Sequence, residues 1–300
     1  MNRYAPMLFL LAAIWGASYL FIKVAVEEIE PAPMMAVRTF GAAALLLAYL
    51  VWRLGRGRAT AELRAAWRHC LVLGVLNAAV PFWLIAWGEQ HIDSGLAAVL
   101  QASVPIFNGL ILLKVMPHER LNAARTVGLA VGLVGVAVVT GIHPEGGSWA
   151  IVGALAVVLS SISYASGGVY GQVAVSHTAG PVLAAGSMLA AGLILLPLAV
   201  FQLPESAPGW EAAGSLLALT VLGTALAQLI LFRMLALHGS ARLVLVTYLM
   251  PAFALVYGAL ILDEEITWWT LGGLGLILAG VALASGAIEL RRRAAVAARP

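Results

Sequence analysis

The sequence predicts an all-α integral membrane protein whose ten transmembrane helices form a 5+5 inverted-topology repeat. Three observations predict it: the composition, the spacing of apolar stretches, and a likeness between the two halves. Of 300 residues, 62% are hydrophobic and 10% charged, and the mean hydropathy is +0.97. Soluble domains are about 45–50% apolar and about 25% charged, so a water-exposed globule is excluded. The net charge of +3 does not indicate a nucleic-acid partner, because the basic residues sit between long apolar runs, as juxtamembrane charges do. The lone Cys70 forms no intrachain disulfide, and no Cys/His spacing indicates a metal. No cofactor is expected, and the lipid bilayer is the surrounding solvent.

A spanning helix needs about 20 apolar residues. Ten stretches meet this: 5–26, 34–52, 70–89, 94–115, 123–142, 149–173, 181–202, 212–236, 241–261 and 268–288. The first exceeds the apolar core of a signal peptide, about 7–15 residues, and leads straight into further spans, so it reads as a retained helix. Basic residues sort the connections. Arg3, the group from Arg53 to Arg68, then Lys114, Arg120, Arg125, Arg242 and the run Arg291 to Arg299 fall on one side, 14 of the 17 Lys and Arg. The opposite connections carry Glu27, Glu28, Glu30, Glu89, Asp93, Glu145, Glu205, Glu211, Asp263, Glu264 and Glu265. The positive-inside rule puts both termini in the cytoplasm.

The two halves repeat. In AVLQASVPIFNGLILLKVMPHERL from Ala98 and LVLVTYLMPAFALVYGALILDEEI from Leu243, Pro105 aligns with Pro251 and Glu119 with Glu265, both 146 residues apart. Gly128, Gly135 and Gly141 match Gly273, Gly280 and Gly286 at 145, as Ser18–Tyr19 match Ser163–Tyr164. Residues 5–142 and 148–289 are therefore two repeats, with 290–300 a basic tail. Five spans per repeat is odd, so the second enters the membrane from the opposite face. Such repeats typify alternating-access secondary transporters with a midplane substrate site between the halves.

Polar residues at membrane depth are functional candidates. The first span carries Trp15, Ser18 and Tyr19, and near its end Lys23. The second carries Arg38, which like Lys23 is expected near the outer boundary, either snorkelling or paired with Glu27 or Glu30, or guiding a substrate carboxylate. The third offers Asn77, Pro81, Trp83 and Trp87. In the fourth, Ser94, Gln101, Pro105 and Asn108 share one narrow face. The ninth repeats that face with Ser240, Thr247 and Pro251, beside Tyr248, with Ala254 replacing the Asn. Pro81, Pro105 and Pro251 each remove a backbone donor, marking helix breaks or gates. The sixth span aligns Ser160, Tyr164, Gly167, Gly168 and Gly171; the glycines read as packing, while Ser160, Ser163 and Tyr164 meet the cavity. The eighth places Thr220, Thr224 and Gln228 at successive turns. The fifth and tenth carry many glycines and almost nothing polar, as a packing scaffold would.

The opening WGASYLFIK (Trp15–Lys23), Arg38, the two Pro…Glu blocks and the glycine-rich helices after them resemble EamA-type carriers of the drug/metabolite transporter superfamily. The resemblance implies the 5+5 fold and export of small metabolites, most like bacterial amino-acid exporters; a multidrug or cationic-compound exporter of the same fold is the alternative. One departure is that Ser160–Ser161 stand where the first copy has Trp15–Gly16, so the two halves do not meet substrate equivalently. No HExxH, GxSxG or P-loop occurs, which argues against an enzyme, and an inverted repeat argues against a channel. With every acidic residue assigned to a connection, no intramembrane carboxylate supports proton or sodium coupling, so facilitated transport or exchange is expected.

Overall fold

The computed structural model describes residues 4–115, 123–141, 147–175, 178–204, 206–238 and 240–284. Among them are ten apolar helices: α1 Tyr4–Val26, α2 Pro31–Leu54, α3 Arg56–Glu89, α4 Ser94–Val115, α5 Ala123–Gly141, α6 Gly147–Ala174, α7 Gly180–Phe201, α8 Trp210–Leu237, α9 Ser240–Ile261 and α10 Trp268–Ala284. Lipid offers the backbone no hydrogen-bond partner, so each segment satisfies its own peptide groups as a helix. Where the chain reverses, local chemistry sets the ends. Proline opens α2 and α7 at positions whose N–H would be orphaned anyway. Gly55 closes α2 with a φ of 77°, which a side chain would disfavour.

The packing partners obey one rule. α5 lies along α10, α2 along α7, and α4 against α9. α1 packs on α9 as α6 packs on α4; α3 packs on α7 as α8 packs on α2; and α3 meets α6 as α8 meets α1. Replacing each helix by the one five places away leaves this set unchanged, as a two-fold axis relating the halves requires. Equivalent helices are five places apart in the chain, an odd offset, and so run antiparallel, which makes the repeat inverted.

Two helices contain a π segment, Val75–Ala79 in α3 and Val221–Leu226 in α8. They start 146 residues apart, like Pro105 and Pro251. In α3 the cause is legible. The Val80 N–H bonds the Val75 carbonyl, a register in which residue 81 would serve Leu76. Residue 81 is proline and has no N–H. The Ser163 hydroxyl on α6 supplies the missing donor, 2.9 Å from the Leu76 carbonyl.

Two expectations are corrected, the start of the third span and a helix break at Pro251. The third span was expected from residue 70, but its helix begins at Arg56; the Arg58–Glu62 pair at 3.1 Å and the alanines sustain an amphipathic start outside the apolar stretch. The fourth span is interrupted at Ala102–Ser103, just before Pro105. Pro251 does not break its helix: α9 runs through it. Glu119, Glu145, Gly286 and the 290–300 tail lie outside the described residues.

The glycine-rich helices pack on each other. A Cβ at Gly280 would sit 2.5 Å from the Gly132 nitrogen and 2.6 Å from the Gly128 carbonyl, so α5 and α10 touch backbone to backbone. This scaffold closes one side of the bundle and leaves α1, α2, α3, α6 and α8 to build its polar centre.

Candidate functional site

The centre is organised by Arg38. Rather than snorkelling outward or pairing with Glu27 or Glu30, its side chain is 5% exposed and points into the bundle. The guanidinium carbon lies 3.7 Å from the centroid of Phe82 on α3. Nε donates to Thr224 Oγ1 on α8 at 2.9 Å, and Nη1 approaches the Met35 sulfur at 3.7 Å. Thr224 lies in the π segment of α8, where its hydroxyl also donates to the Leu219 carbonyl at 2.9 Å. Arg38 from the first repeat is thus held by a helix of the second. Among the described residues the ion pair formed is Arg58–Glu62, and no carboxylate meets the Arg38 guanidinium. Tyr19 on α1, Tyr164 on α6 and Glu89 at the end of α3 lie within electrostatic range of it.

The aromatic walls follow. Tyr164 and Phe82 rings are 6.4 Å apart, and the Tyr19 hydroxyl reaches the Met250 sulfur of α9 at 3.9 Å. Ser18 is buried against Gly223 of the α8 π segment, where a Cβ would fall 2.7 Å from its hydroxyl. Trp15 is partly buried between two apolar clusters. Asn77 sits in the π segment of α3 against Gly167 of α6, where a Cβ would overlap its amide; its Oδ1 has no hydrogen-bond partner. Gln228, Thr247 and Tyr248 are half-buried farther along α8 and α9.

Gln101 occupies a different setting. Its Nε2 donates to Ser160 Oγ at 2.6 Å, and Ser161 Oγ donates to its Oε1 at 2.6 Å. All three are buried. The amide is clasped by the two serines that replace the Trp–Gly pair of the first repeat, joining α4 to α6 beside the Ala102–Ser103 break. Ser160 and Gln101 here hold helices together, with their hydrogen bonds already made.

The membrane end opposite the termini, called the distal end below, is tied by two contacts. Lys23 Nζ donates to the Glu89 and Ile92 carbonyls at 2.7 and 2.8 Å, holding the last turn of α3 and the connection to α4. Both helix carbonyls and cation favour this geometry. Lys23 therefore neither snorkels nor pairs with Glu27 or Glu30. The Glu264 carboxylate, from the second repeat, accepts the Ser94 and Gly95 N–H groups of the first turn of α4 at 2.7 and 2.9 Å. Beside them lies a cavity of about 210 Å³ lined by Lys23, His91, Glu264, Glu265 and Thr267 among others.

Sequence reasoning missed three participants. Phe82 is one apolar residue among many in its span and gave no signal. Glu264 was sorted with a connection, where only the fold brings it to α4. Glu89 was counted in an outer connection, but it ends α3 fully buried, 0% exposed. That carboxylate is sealed inside the protein at a helix end instead of standing in an open connection.

A ten-helix inverted repeat that folds an arginine, tyrosines and hydroxyls between its halves is an architecture typical of multi-pass secondary transporters. The chain belongs to the EamA-like transporter family, whose pattern it matches over residues 3–141 and again over 151–286. It is 36% identical over 196 residues to the Escherichia coli protein named "Uncharacterized inner membrane transporter YedA", a match covering 63% of this chain and 59% of that relative's length. The Bacillus subtilis protein named "Uncharacterized transporter YvbV" is 26% identical over 297 residues, covering 98% of this chain and 95% of the relative. A solved crystal structure 19% identical in sequence shares the fold with a TM-score of 0.67, over 98% of this chain and 99% of that one. Family and relatives are named for transport, not catalysis.

Proposed function

We propose that the protein exports small carboxylate-bearing metabolites, amino acids above all, by alternating access through the Arg38 site between its two repeats. The observation that carries this is a buried guanidinium with no carboxylate partner, stacked on Phe82 and held by Thr224. An unpaired charge in a membrane interior is costly and marks a pathway, and a planar fork of N–H donors matches a carboxylate. Tyr19, Tyr164 and Ser18 supply polar and aromatic surface around it, and Trp15, Asn77 and Gln228 extend the path. The sorted basic residues support cytoplasmic termini, so that the distal end faces outward, and the name of the E. coli relative supports an inner-membrane location. The 5–142 and 148–289 repeats would rock about the site, with Lys23 and Glu264 as distal gate contacts.

The test is counterflow in proteoliposomes loaded with single unlabelled amino acids. Labelled amino acids should accumulate transiently, and amines lacking the carboxylate should not compete. Arg38→Gln should raise the half-saturation concentration at least about tenfold, since a charged hydrogen bond is worth about 1.5–3 kcal/mol. Transport of cationic dyes with no exchange of any carboxylate compound, or an Arg38→Gln protein with unchanged half-saturation, refutes the proposal.

A further inference from the structure

Glu89 is the residue that the Arg38 site does not explain. Its carboxylate is 0% exposed, and neither Oε1 nor Oε2 has a hydrogen-bond partner. The charged groups around it are Lys23 from α1, Arg38 from α2 and Glu264 from the α9–α10 connection; Tyr19 from α1 also lies within range. Tyr164 from α6 faces Arg38 and Tyr19. In the first turn of α4 the buried Ser94 Oγ is likewise without a partner, and His91, two residues on from Glu89, packs its ring between Trp87 and Trp149. Both nearby cations are engaged elsewhere: Lys23 on the Glu89 and Ile92 carbonyls, Arg38 on Thr224 and the Phe82 face. An ionised carboxylate withdrawn from water needs donors or a paired cation, and a buried group lacking both neutralises instead.

The position of Glu89 gives that neutralisation a consequence. It sits beside the two contacts that tie the distal end, since Lys23 grips its own carbonyl and Glu264, within electrostatic range, caps the helix that follows. Parting those contacts exposes the carboxyl to water, where it ionises. We propose that Glu89 is a proton-binding site linked to the distal gate: it takes a proton from water as that end closes and returns it to water when that end opens. No other covalent bond changes. A proton thus competes with opening, and its binding sets how readily the transporter presents its outward face. That consequence for transport rests on the alternating-access reading above; the proton site itself does not.

The experiment needs no substrate. In full-length protein carrying Cys70→Ser and Ser94→Cys, reconstituted in liposomes, modification by a membrane-impermeant maleimide reports distal opening, because Ser94 is fully buried when the end is closed. Rates are divided by those of a Glu27→Cys protein, whose position is exposed, to remove the thiol's own pH dependence. Between about pH 5.5 and about pH 8.5 the normalised rate should rise with pH, by up to about tenfold per unit where one proton is linked. Glu89→Gln should flatten the profile, Glu89→Asp should move its midpoint, and Glu265→Gln, altering an exposed carboxylate of the same end, should leave the slope. A flat profile in the protein retaining Glu89 overturns the proposal, even if Glu89→Gln fails to fold. An unchanged slope in Glu89→Gln overturns it equally. A pH-dependent gate without amino-acid counterflow would sink the transport reading and leave this one standing.

Discussion

Replacing Ser163 by alanine tests the account of how α3 holds its π segment beside the site. The Ser163 hydroxyl donates to the Leu76 carbonyl at 2.9 Å, and that carbonyl needs a side-chain donor because residue 81, next in the π register set by Val80 and Val75, is proline. Alanine leaves the carbonyl without a donor at a residue contact from which lipid and water are largely excluded. An orphaned buried acceptor costs about 1–3 kcal/mol, although hydrogen bonds inside membrane proteins average nearer about 0.6 kcal/mol when measured by double-mutant cycles. The expected loss for Ser163→Ala is therefore about 1–2 kcal/mol, read from reversible unfolding in mixed micelles. The decisive measurement is the same substitution in a Pro81→Ala background. Alanine at 81 restores an N–H placed to serve Leu76, so Ser163→Ala should then cost about 1 kcal/mol less, the coupling being the difference between backgrounds. An equal cost in both would refute the claim that Ser163 stands in for the missing proline donor.

Two other substitutions probe the scaffold and the site. Gly280→Val should destabilise by about 1–3 kcal/mol or more, because the added atoms meet the Gly132 and Gly128 backbone, which cannot yield like a side chain; Gly272→Ala, with open space around it, should be neutral or stabilising by about 0.5–1 kcal/mol in the same unfolding assay. Thr224→Val, nearly isosteric, removes the acceptor of Arg38 Nε and should raise the half-saturation for amino-acid counterflow about tenfold, with Thr224→Ser restoring it; failure of serine to rescue would point to packing instead of the hydroxyl.

The sequence by itself determined the membrane class, the ten spans and the inverted duplication, because each rests on local or periodic quantities: apolar length against bilayer thickness, and Pro and Gly recurring at a constant offset. It also marked Gly128, Gly135, Gly273 and Gly280 as packing, since a missing side chain matters wherever helices approach. Other features had no local signature. A π segment differs from an α-helix by one carbonyl register, and Val75–Ala79 reads as ordinary apolar helix until Ser163 and Pro81 are seen together. Whether Gln101 is clasped by Ser160 and Ser161, whether Arg38 snorkels or turns inward onto Phe82 and Thr224, and whether Glu89 is wet or sealed depend on which helix lies opposite. Those neighbours are 44 to 186 residues away along the chain for the Arg38 and Gln101 contacts. A charge near a predicted helix end has two low-energy options, water or a buried partner, separated only by what the packed bundle puts within reach; that choice belongs to the tertiary structure alone.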